Sequence, residues 1–300
     1  MKSLTELTTL ASKAKSKKKL VLAASQDVHA LDAVKEATEA GLIIPVFVGN
    51  LPQIEQMAGE IGFGINDFIK IHEPDNQIAV EKSVKLIHDG EAQLLMKGSC
   101  GTAQLLKGVL NRDWGLRKGD LLSHFALFEI PAYHKLLAVT DVAINIAPDL
   151  GAKKAIIENS VEFLTNMGIA MPKVAVIAAV ETVNDQMQAT VDAAALVQMG
   201  RDGRIAGCLI EGPFGLDNAI NKESAEHKGI QNEVAGDADL LLMPDIEAGN
   251  VFYKGLVYFA RAEVASVVLG ARAPVVLTSR SDSRETKLNS ILLASAVDIV

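Results

Sequence analysis

The sequence contains few cysteines, few aromatic residues and no long apolar run. Only Cys100 and Cys208 occur among 300 residues, which excludes a disulfide framework or a CxxC zinc pattern and indicates a reducing compartment. The longest apolar runs, such as VAVIAAV at 174–180, fall far below the roughly 18 residues needed to cross a bilayer, and no signal-peptide pattern opens the chain. We therefore expect a cytoplasmic protein without a membrane segment.

Positive charge is also scarce. The formal net charge of −8 disfavours nucleic acid as a general partner. A local run of lysines between residues 13 and 19 is read as a solvated helix face, or as a patch that draws polyanionic ligands toward the N-terminal half. Phosphate-loop, nucleophile-elbow and HExxH patterns are missing, and GFG at 62–64 lacks the third glycine of a dinucleotide fingerprint.

Short β-type runs alternate with helical patterns along most of the chain, and this alternation predicts parallel βαβ units. LVLAA at 20–24 and IPVFVG at 44–49 are two such strands, each followed by a helical segment. The alternation breaks at LLSHFALFEI (121–130) and LLAVTDVAINIA (136–147), which we expect to pair antiparallel because five residues cannot form a crossover helix. With about 150 residues per domain, the length predicts two domains and a transition near this point.

Six junctions after the apolar strands are rich in polar residues. Ligands of parallel α/β proteins bind at the carboxyl ends of strands, where helix N-termini attract anions. Turn chemistry and helix capping explain any one such loop, but six at one edge favour a binding site. Five of these junctions, at 96–102, 145–149, 179–185, 210–219 and 243–255, supply the candidate binding residues Lys97, Gly98, Asn145, Glu181, Glu211 and Asp245.

The stretch PDIEAGNVFYK offers a possible phosphate site. Gly249 allows close backbone approach, Asn250 can cap the following helix, and Lys254 projects from the same helical face one turn later. The alternative is a capped helix with a surface lysine, and the sequence leaves both readings open.

The sixth junction, TSRSDS at 278–283, combines an arginine with hydroxyls and an acid. Arg280 offers a charged fork for phosphate oxygens beside the N-terminus of a helix. Ser279 can donate to an oxyanion, and Asp282 or Glu285 can accept a proton. Asp282 and Glu285 also fit a helix-capping pair, so capping and catalysis both stay open.

Two further residues invite catalytic readings. His124 lies in a strand-like run, where a core or supporting role is favoured over that of a general base. Cys100 in KGSCGT has no discernible histidine partner, so we favour a small buried or loop thiol over a nucleophile.

Longer segments point to a family. The chain resembles the phosphate acetyl/butyryltransferases, and is most similar to the butyryltransferase branch, from about Leu20 to the C-terminus. The segments that carry the resemblance are MKGSCGTAQLLKGVLN, LLSHFALFEIP, TDVAINIAPD, AAVETVN, EGPFGLDNAI, PDIEAGNVFYKGLVYFA and GARAPVVLTSRSDSRETKLNSI.

The resemblance implies an α/β fold of two α/β/α sandwich domains of the isocitrate/isopropylmalate-dehydrogenase-like type, with an interdomain cleft and a homodimer. Its domains would be 1–140 plus 279–300, and 141–278, with approximate boundaries. The implied reaction is acyl-CoA + phosphate ⇌ acyl phosphate + CoA, by direct attack of the thiolate on acyl phosphate. A short butyryl or branched acyl group is expected, with no metal and no tightly bound cofactor.

The resemblance also assigns roles near the C-terminus. Ser279 and Arg280 match the family's Ser-Arg pair, which implies oxyanion stabilisation and phosphate binding. The catalytic aspartate of the acetyl branch falls at Thr286, so either Glu285 or Asp282 takes its role or the mechanism needs no carboxylate there.

Two other functions remain open. An NAD(P)-dependent β-decarboxylating dehydrogenase of the same fold would need clustered metal-binding carboxylates, and would change absorbance with NAD(P) and a divalent metal. A non-catalytic CoA-binding module would bind CoA without releasing thiol from acyl-CoA in phosphate.

Overall fold

The computed structural model describes residues 1–12, 17–119, 121–279 and 282–297. It divides into two compact units, each built from separate parts of the chain. The terminal unit comprises Thr5–Asp120 and Ala265–Val300, and the central unit comprises Met1–Leu4 and Leu121–Val264. No helix among the described residues is long and apolar enough to cross a membrane.

The terminal unit carries most of the first half of the chain and its end. Its elements in chain order are α1 (Glu6–Ser12), β1 (Lys18–Ala23), α2 (Val28–Glu39), β2 (Ile43–Gly49), α3 (Leu51–Glu60), β3 (Ile69–His72), α4 (Asn76–His88), β4 (Leu94–Lys97), α5 (Thr102–Val109), β10 (Glu263–Leu269, which begins just before the boundary), β11 (Val275–Val276) and α11 (Arg284–Ser295).

The sheet of the terminal unit has the strand order β3-β2-β1-β4-β11-β10. All neighbours are parallel except β11 and β10, which are antiparallel. The residues of β1 from Leu20 to Ala23 are completely buried. Such a continuous apolar strand is typical of a parallel sheet with helices on both faces.

The central unit carries the middle of the chain. Its elements are β5 (Ser123–Glu129), β6 (Leu137–Thr140), α6 (Leu150–Asn166), β7 (Lys173–Ile177), α7 (Gln188–Arg201), β8 (Leu209–Phe214), α8 (Leu216–Ile220), α9 (Lys222–His227), β9 (Leu240–Leu242) and α10 (Ile246–Tyr258).

The sheet of the central unit has the strand order β5-β6-β9-β7-β8. The predicted antiparallel pairing of β5 with β6 is confirmed, with Leu127 opposite Ala138. The other neighbours are parallel, as βαβ units require. The core includes Phe128, Val139 and Phe214, and α10 packs against it through Phe252 and other partly buried side chains.

The unit boundaries differ from those expected at residues 140 and 278. β6 pairs with β9, and β5 pairs with β6, so the segment 121–140 joins the central unit. β11 pairs with β4, which brings the chain back to the terminal unit already at residue 265. Strand pairing over long sequence separations therefore sets both boundaries.

The strand predicted at 136–147 is shorter in the structure, because β6 ends at Thr140. The carboxylate of Asp141 accepts hydrogen bonds from the backbone N–H groups of Ala143, Ile144 and Asn145. These bonds fold the chain into a turn, since N–H groups held by a side chain cannot serve a strand ladder. The helix α6 that follows was not among the predicted elements.

Candidate active site

The strands β1, β4 and β11 are neighbours, so the loops after them meet at one edge of the terminal unit's sheet. Gly98 lies where two of these loops touch. Its N–H donates to the Ala23 oxygen at 2.9 Å, and the N–H of Ser99 donates to the Ala24 oxygen at 2.8 Å. A β-carbon on Gly98 would lie 2.2 Å from the Ala24 oxygen, so only glycine fits this contact.

Lys97, the last residue of β4, is buried beside this contact. Its ammonium donates to the backbone oxygens of Gly98 at 3.2 Å and Cys100 at 3.4 Å. Carbonyl oxygens satisfy the hydrogen bonds of an ammonium but do not neutralise its charge. The structure therefore places a buried positive charge at this sheet edge.

Cys100 is a free, buried thiol in the same loop. Its Sγ donates to the Ala23 oxygen at 3.9 Å. Burial raises the pKa of the thiol, and this outweighs the opposing effect of Lys97. A thiol that stays protonated at neutral pH is a poor nucleophile, which agrees with the expectation of a small buried thiol.

Ser279 and Asp282 lie together after β11. The N–H of Ser279 donates to Asp282 Oδ2 at 2.6 Å, and the N–H of Asp282 donates to the Ser279 oxygen at 3.2 Å. Ser279 is exposed and Asp282 is partly buried. Arg280 lies outside the described residues, so its phosphate-binding role stays a prediction.

The capping alternative for Asp282 and Glu285 is wrong. The cap of α11 is Ser283, whose Oγ accepts the N–H of Thr286 at 3.1 Å. The Asp282 carboxylate is used instead by the N–H of Ser279. Glu285 is exposed in the first turn of α11, where a negative charge suits the positive end of the helix.

Lys287 belongs to the same cluster and was missed in the sequence. It is 3% exposed, and its ammonium donates to the backbone oxygens of Ser279 at 3.0 Å and Asp282 at 2.8 Å. Burial lowers its pKa, and Lys97 adds to this effect, while Asp282 and Asp27 oppose it. A lysine within an otherwise ordinary helix gives no sequence signal of such contacts.

In the central unit, Asn145 follows β6 and is held by its neighbours. Its side-chain amide donates to the Leu122 oxygen at 2.8 Å and to Asp141 Oδ2 at 2.7 Å. Asp141 is 3% exposed and also accepts the N–H of His124 at 3.1 Å. Asp141 therefore organises this strand end, a role that the sequence analysis missed.

The start of α10 lies against the same loop. Asp245 caps the helix by accepting the Ala248 N–H at 2.8 Å, so α10 begins at Ile246 and the expected cap at Asn250 is wrong. Asn250 instead donates to the Val142 oxygen at 3.2 Å. A β-carbon on Gly249 would lie 2.6 Å from the Asp141 oxygen, so the close approach is to protein backbone.

Lys254 is exposed on α10, one turn after Asn250. The structure thus brings Asn145, Asp245, Gly249 and Asn250 together around the loop after β6, with Lys254 on the adjoining helix.

The two candidate glutamates of the central unit have different surroundings. Glu181 follows β7 and accepts hydrogen bonds from Lys228 and from Asn218 Nδ2, the latter at 2.6 Å. The Lys228 bond is the main reason why the pKa of Glu181 is lowered. Glu211 lies inside β8 and pairs with Arg201 at 3.4 Å, so it is not part of the loop that follows the strand.

His124 is 5% exposed, and its ring packs edge-on against Tyr253 with 6.2 Å between centroids. This placement agrees with the core role favoured from the sequence. Within the ranges that the structure describes, no group of three or more His, Cys, Asp or Glu side chains could hold a metal ion.

A family model described as "Phosphate acetyl/butaryl transferase" matches residues 76–295. The chain belongs to this family. It is 46% identical over 285 residues to a phosphate butyryltransferase of Clostridium acetobutylicum, with 95% of each chain covered. It is 41% identical over 271 residues to a phosphate acetyltransferase of Rhizobium meliloti, covering 90% of this chain and 85% of the relative.

Among solved structures, a branched-chain phosphotransacylase from Enterococcus faecalis V583 matches with a TM-score of 0.83 and 33% identity. The match covers 93% of this chain and 98% of that one. Membership in the phosphate acetyl/butyryltransferase family confirms the resemblance, the α/β fold class and the assignment as a phosphate acyltransferase. The expected site residues of this acyltransferase fall into groups that lie in each of the two units.

Proposed function

We propose that this phosphate acyltransferase interconverts acyl-CoA and phosphate with acyl phosphate and CoA, and that its acyl group is butyryl or a short branched chain. The names of a butyryltransferase and a branched-chain phosphotransacylase among the similar proteins support this chain length. A phosphate acetyltransferase is also similar, at 41% identity, so overall sequence identity is weak evidence for the length of the acyl group.

The proposed mechanism is direct displacement on a bound acyl phosphate. The thiolate sulfur of CoA attacks the carbonyl carbon, a tetrahedral oxyanion forms, and the carbon–oxygen bond to phosphate breaks. The thiol proton passes to a carboxylate, because a thiol with a pKa of about 8.5 is mostly protonated at neutral pH. Asp282 and Glu285 are the candidate carboxylates.

One observation supports the assignment of the phosphate-binding site to the terminal unit. Lys97 ends β4 and Ser279 follows β11, and these two strands are neighbours, since Val276 of β11 lies opposite Met96 of β4. The buried Lys97 ammonium supplies positive charge, and the start of α11 adds its dipole. We assign Ser279 as the oxyanion donor and Arg280 as the phosphate ligand.

In the central unit, we assign substrate binding to the loop after β6 and the start of α10. Asn145, Gly249 and Asn250 give this surface its shape, because their contacts are to groups of the protein itself. Lys254 is exposed on the same helix and suits an anionic group of CoA or acyl phosphate. Glu181, Glu211 and Asp245 are retained as weaker candidates.

We propose a homodimer formed through α10. Gly249 is the one buried residue of this helix, whereas Val251 and Tyr258 are 72% and 66% exposed, and the adjoining Phe259 is 92% exposed. Three large exposed apolar side chains on and beside one helix offer a candidate interaction surface. Light scattering should give a dimer that the Phe259→Glu change weakens, and a monomeric wild-type protein would refute this part.

CoA is proposed as a substrate rather than a bound cofactor, and the cytoplasm as the site of the reaction. The two free cysteines fit a reducing compartment.

The decisive experiment is a thiol-release assay with acetyl-, propionyl-, butyryl-, isobutyryl- and isovaleryl-CoA, with and without phosphate. We expect release that depends on phosphate and is fastest with butyryl or a branched chain. Ser279→Ala should lower turnover by roughly two to three orders of magnitude, as expected on losing an oxyanion donor. CoA binding without phosphate-dependent thiol release would refute the proposal.

A further inference from the structure

Lys287 is a buried lysine to which the proposed mechanism gives no task. It lies on α11 with 3% of its surface exposed. Moving an ammonium out of water is costly unless good hydrogen bonds or a counter-charge offset the cost. The hydrogen-bond partners of this ammonium therefore indicate the role of Lys287.

Lys153 of the central unit offers an internal comparison. It is 5% exposed, and its ammonium lies 2.6 Å from the carboxylate of Asp192, which neutralises it. The hydrogen bonds of Lys287 end instead on the backbone carbonyl oxygens of Ser279 and Asp282. Within the part of the chain that the structure describes, the hydrogen-bond partners of Lys287 are thus two peptide groups, and the Asp282 and Asp27 carboxylates act on it through their charge.

These two peptide groups belong to the segment that carries the predicted catalytic residues. The N–H of Ser279 donates to the Asp282 carboxylate at 2.6 Å, and Lys287 holds the carbonyl oxygens of the same two residues at 3.0 and 2.8 Å. One side chain therefore holds the carbonyl groups of both Ser279 and Asp282. A misplacement of about 1 Å in a catalytic group can cost roughly 100-fold in rate.

We propose that Lys287 is a positioning residue, whose ammonium holds the carbonyl groups of Ser279 and Asp282 and so orients Ser279 for acyl transfer. This inference rests on the proposed function. Lys287 acts through Ser279 and is not assigned contact with the reacting atoms.

The test compares Lys287→Met with Ile291→Val, a matched control on the same helix. Ile291 is completely buried, and the loss of one methyl group should lower the melting temperature without removing the contacts of Lys287 with Ser279 and Asp282. We expect Lys287→Met to lower kcat by about 10- to 100-fold with a KM for butyryl-CoA within about 2-fold. Ile291→Val should keep its kcat. An unchanged kcat in Lys287→Met would overturn the inference.

A double-mutant cycle with Ser279→Ala tests whether Lys287 acts through Ser279. Residues that act as a unit show non-additive losses, so the double variant should be about as slow as Ser279→Ala alone. Multiplied losses would mean that Lys287 acts independently, for example as a direct phosphate ligand, and would also overturn the inference. If Lys287→Met fails to fold, Lys287→Arg enters the same cycle. An inactive wild-type enzyme would refute the proposed function itself, and this inference with it.

Discussion

Replacing Gly98 with alanine should separate the loops that form the candidate active site. The added β-carbon would lie 2.2 Å from the Ala24 oxygen and 2.8 Å from the Ala23 oxygen, both backbone atoms. Ordinary contact requires 3.4 Å or more, so the loops must move apart by about 1 Å. The hydrogen bonds from the N–H groups of Gly98 and Ser99 to these oxygens would then be weakened.

The size of the effect follows from these contacts. Two weakened hydrogen bonds cost about 1 kcal/mol each, and forced overpacking costs about 1 to 3 kcal/mol. We therefore expect a loss of about 3 to 5 kcal/mol in the free energy of unfolding. Turnover should fall as well, because Lys97 precedes Gly98 directly and would move with it.

Gly101→Ala is the matched control in the same loop. The nearest atom to its added β-carbon is Gln104 Cβ at 3.9 Å, and the φ angle of −70° is open to alanine. Thermal unfolding and the thiol-release assay on both variants separate the effect of the steric clash at Gly98 from the effect of any glycine-to-alanine change in this loop. If Gly98→Ala matched Gly101→Ala in melting temperature and kcat/KM, the assignment of this contact would be refuted.

The variants Asp282→Asn and Glu285→Gln should identify the carboxylate that accepts the thiol proton. The variant that lacks this base should react about 100-fold or more slowly with CoA and acyl phosphate, and its rate should partly recover at a pH above the pKa of the thiol. Full activity in both variants would exclude a carboxylate base. The change Asp192→Asn should lower the free energy of unfolding by about 3 to 5 kcal/mol, because it leaves the Lys153 ammonium buried without its partner. The double change Lys153→Met/Asp192→Leu should leave the free energy of unfolding, measured by chemical denaturation, nearly unchanged. Phosphate should raise the melting temperature of the wild type, and Lys97→Met should abolish this shift at matched ionic strength; a full shift in Lys97→Met would rule out Lys97 as part of the phosphate site.

Alternation of apolar strands and amphipathic helices predicted most of the fold, and the failures have local causes. The apolar run IAGCLI at 205–210 predicts a strand, but β8 spans Leu209–Phe214 and so includes Gly212 and Pro213. A Gly-Pro pair normally marks a loop, but β8 is an edge strand, where the missing N–H of proline costs no ladder hydrogen bond. The segment LDNAINKESAEH at 216–227 predicts one helix, but the structure has two, because Asn221 caps α9 by accepting the Ser224 N–H.

The candidate site was predictable only in part, for a related reason. Polar residues at strand ends indicate a site because topology brings parallel strand ends together, and Lys97, Ser279 and Asp282 were found in this way. Lys287 and Asp141 were missed because their partners are backbone carbonyl and N–H groups. Every residue type carries these groups, so no sequence pattern marks such contacts before the chain is folded.

The contrast between the buried lysines suggests how the fold separates stability from function. Lys153 is neutralised by Asp192, so its charge contributes nothing to attract a ligand. Lys97 instead donates to the backbone carbonyl oxygens of Gly98 and Cys100, which do not neutralise its charge. An anion that binds beside Lys97 therefore supplies a counter-charge that these carbonyl groups lack. If phosphate binds there, as proposed, it offsets the desolvation cost that Lys97 carries in the free enzyme, which is the direction that a phosphate-dependent acyl transfer requires.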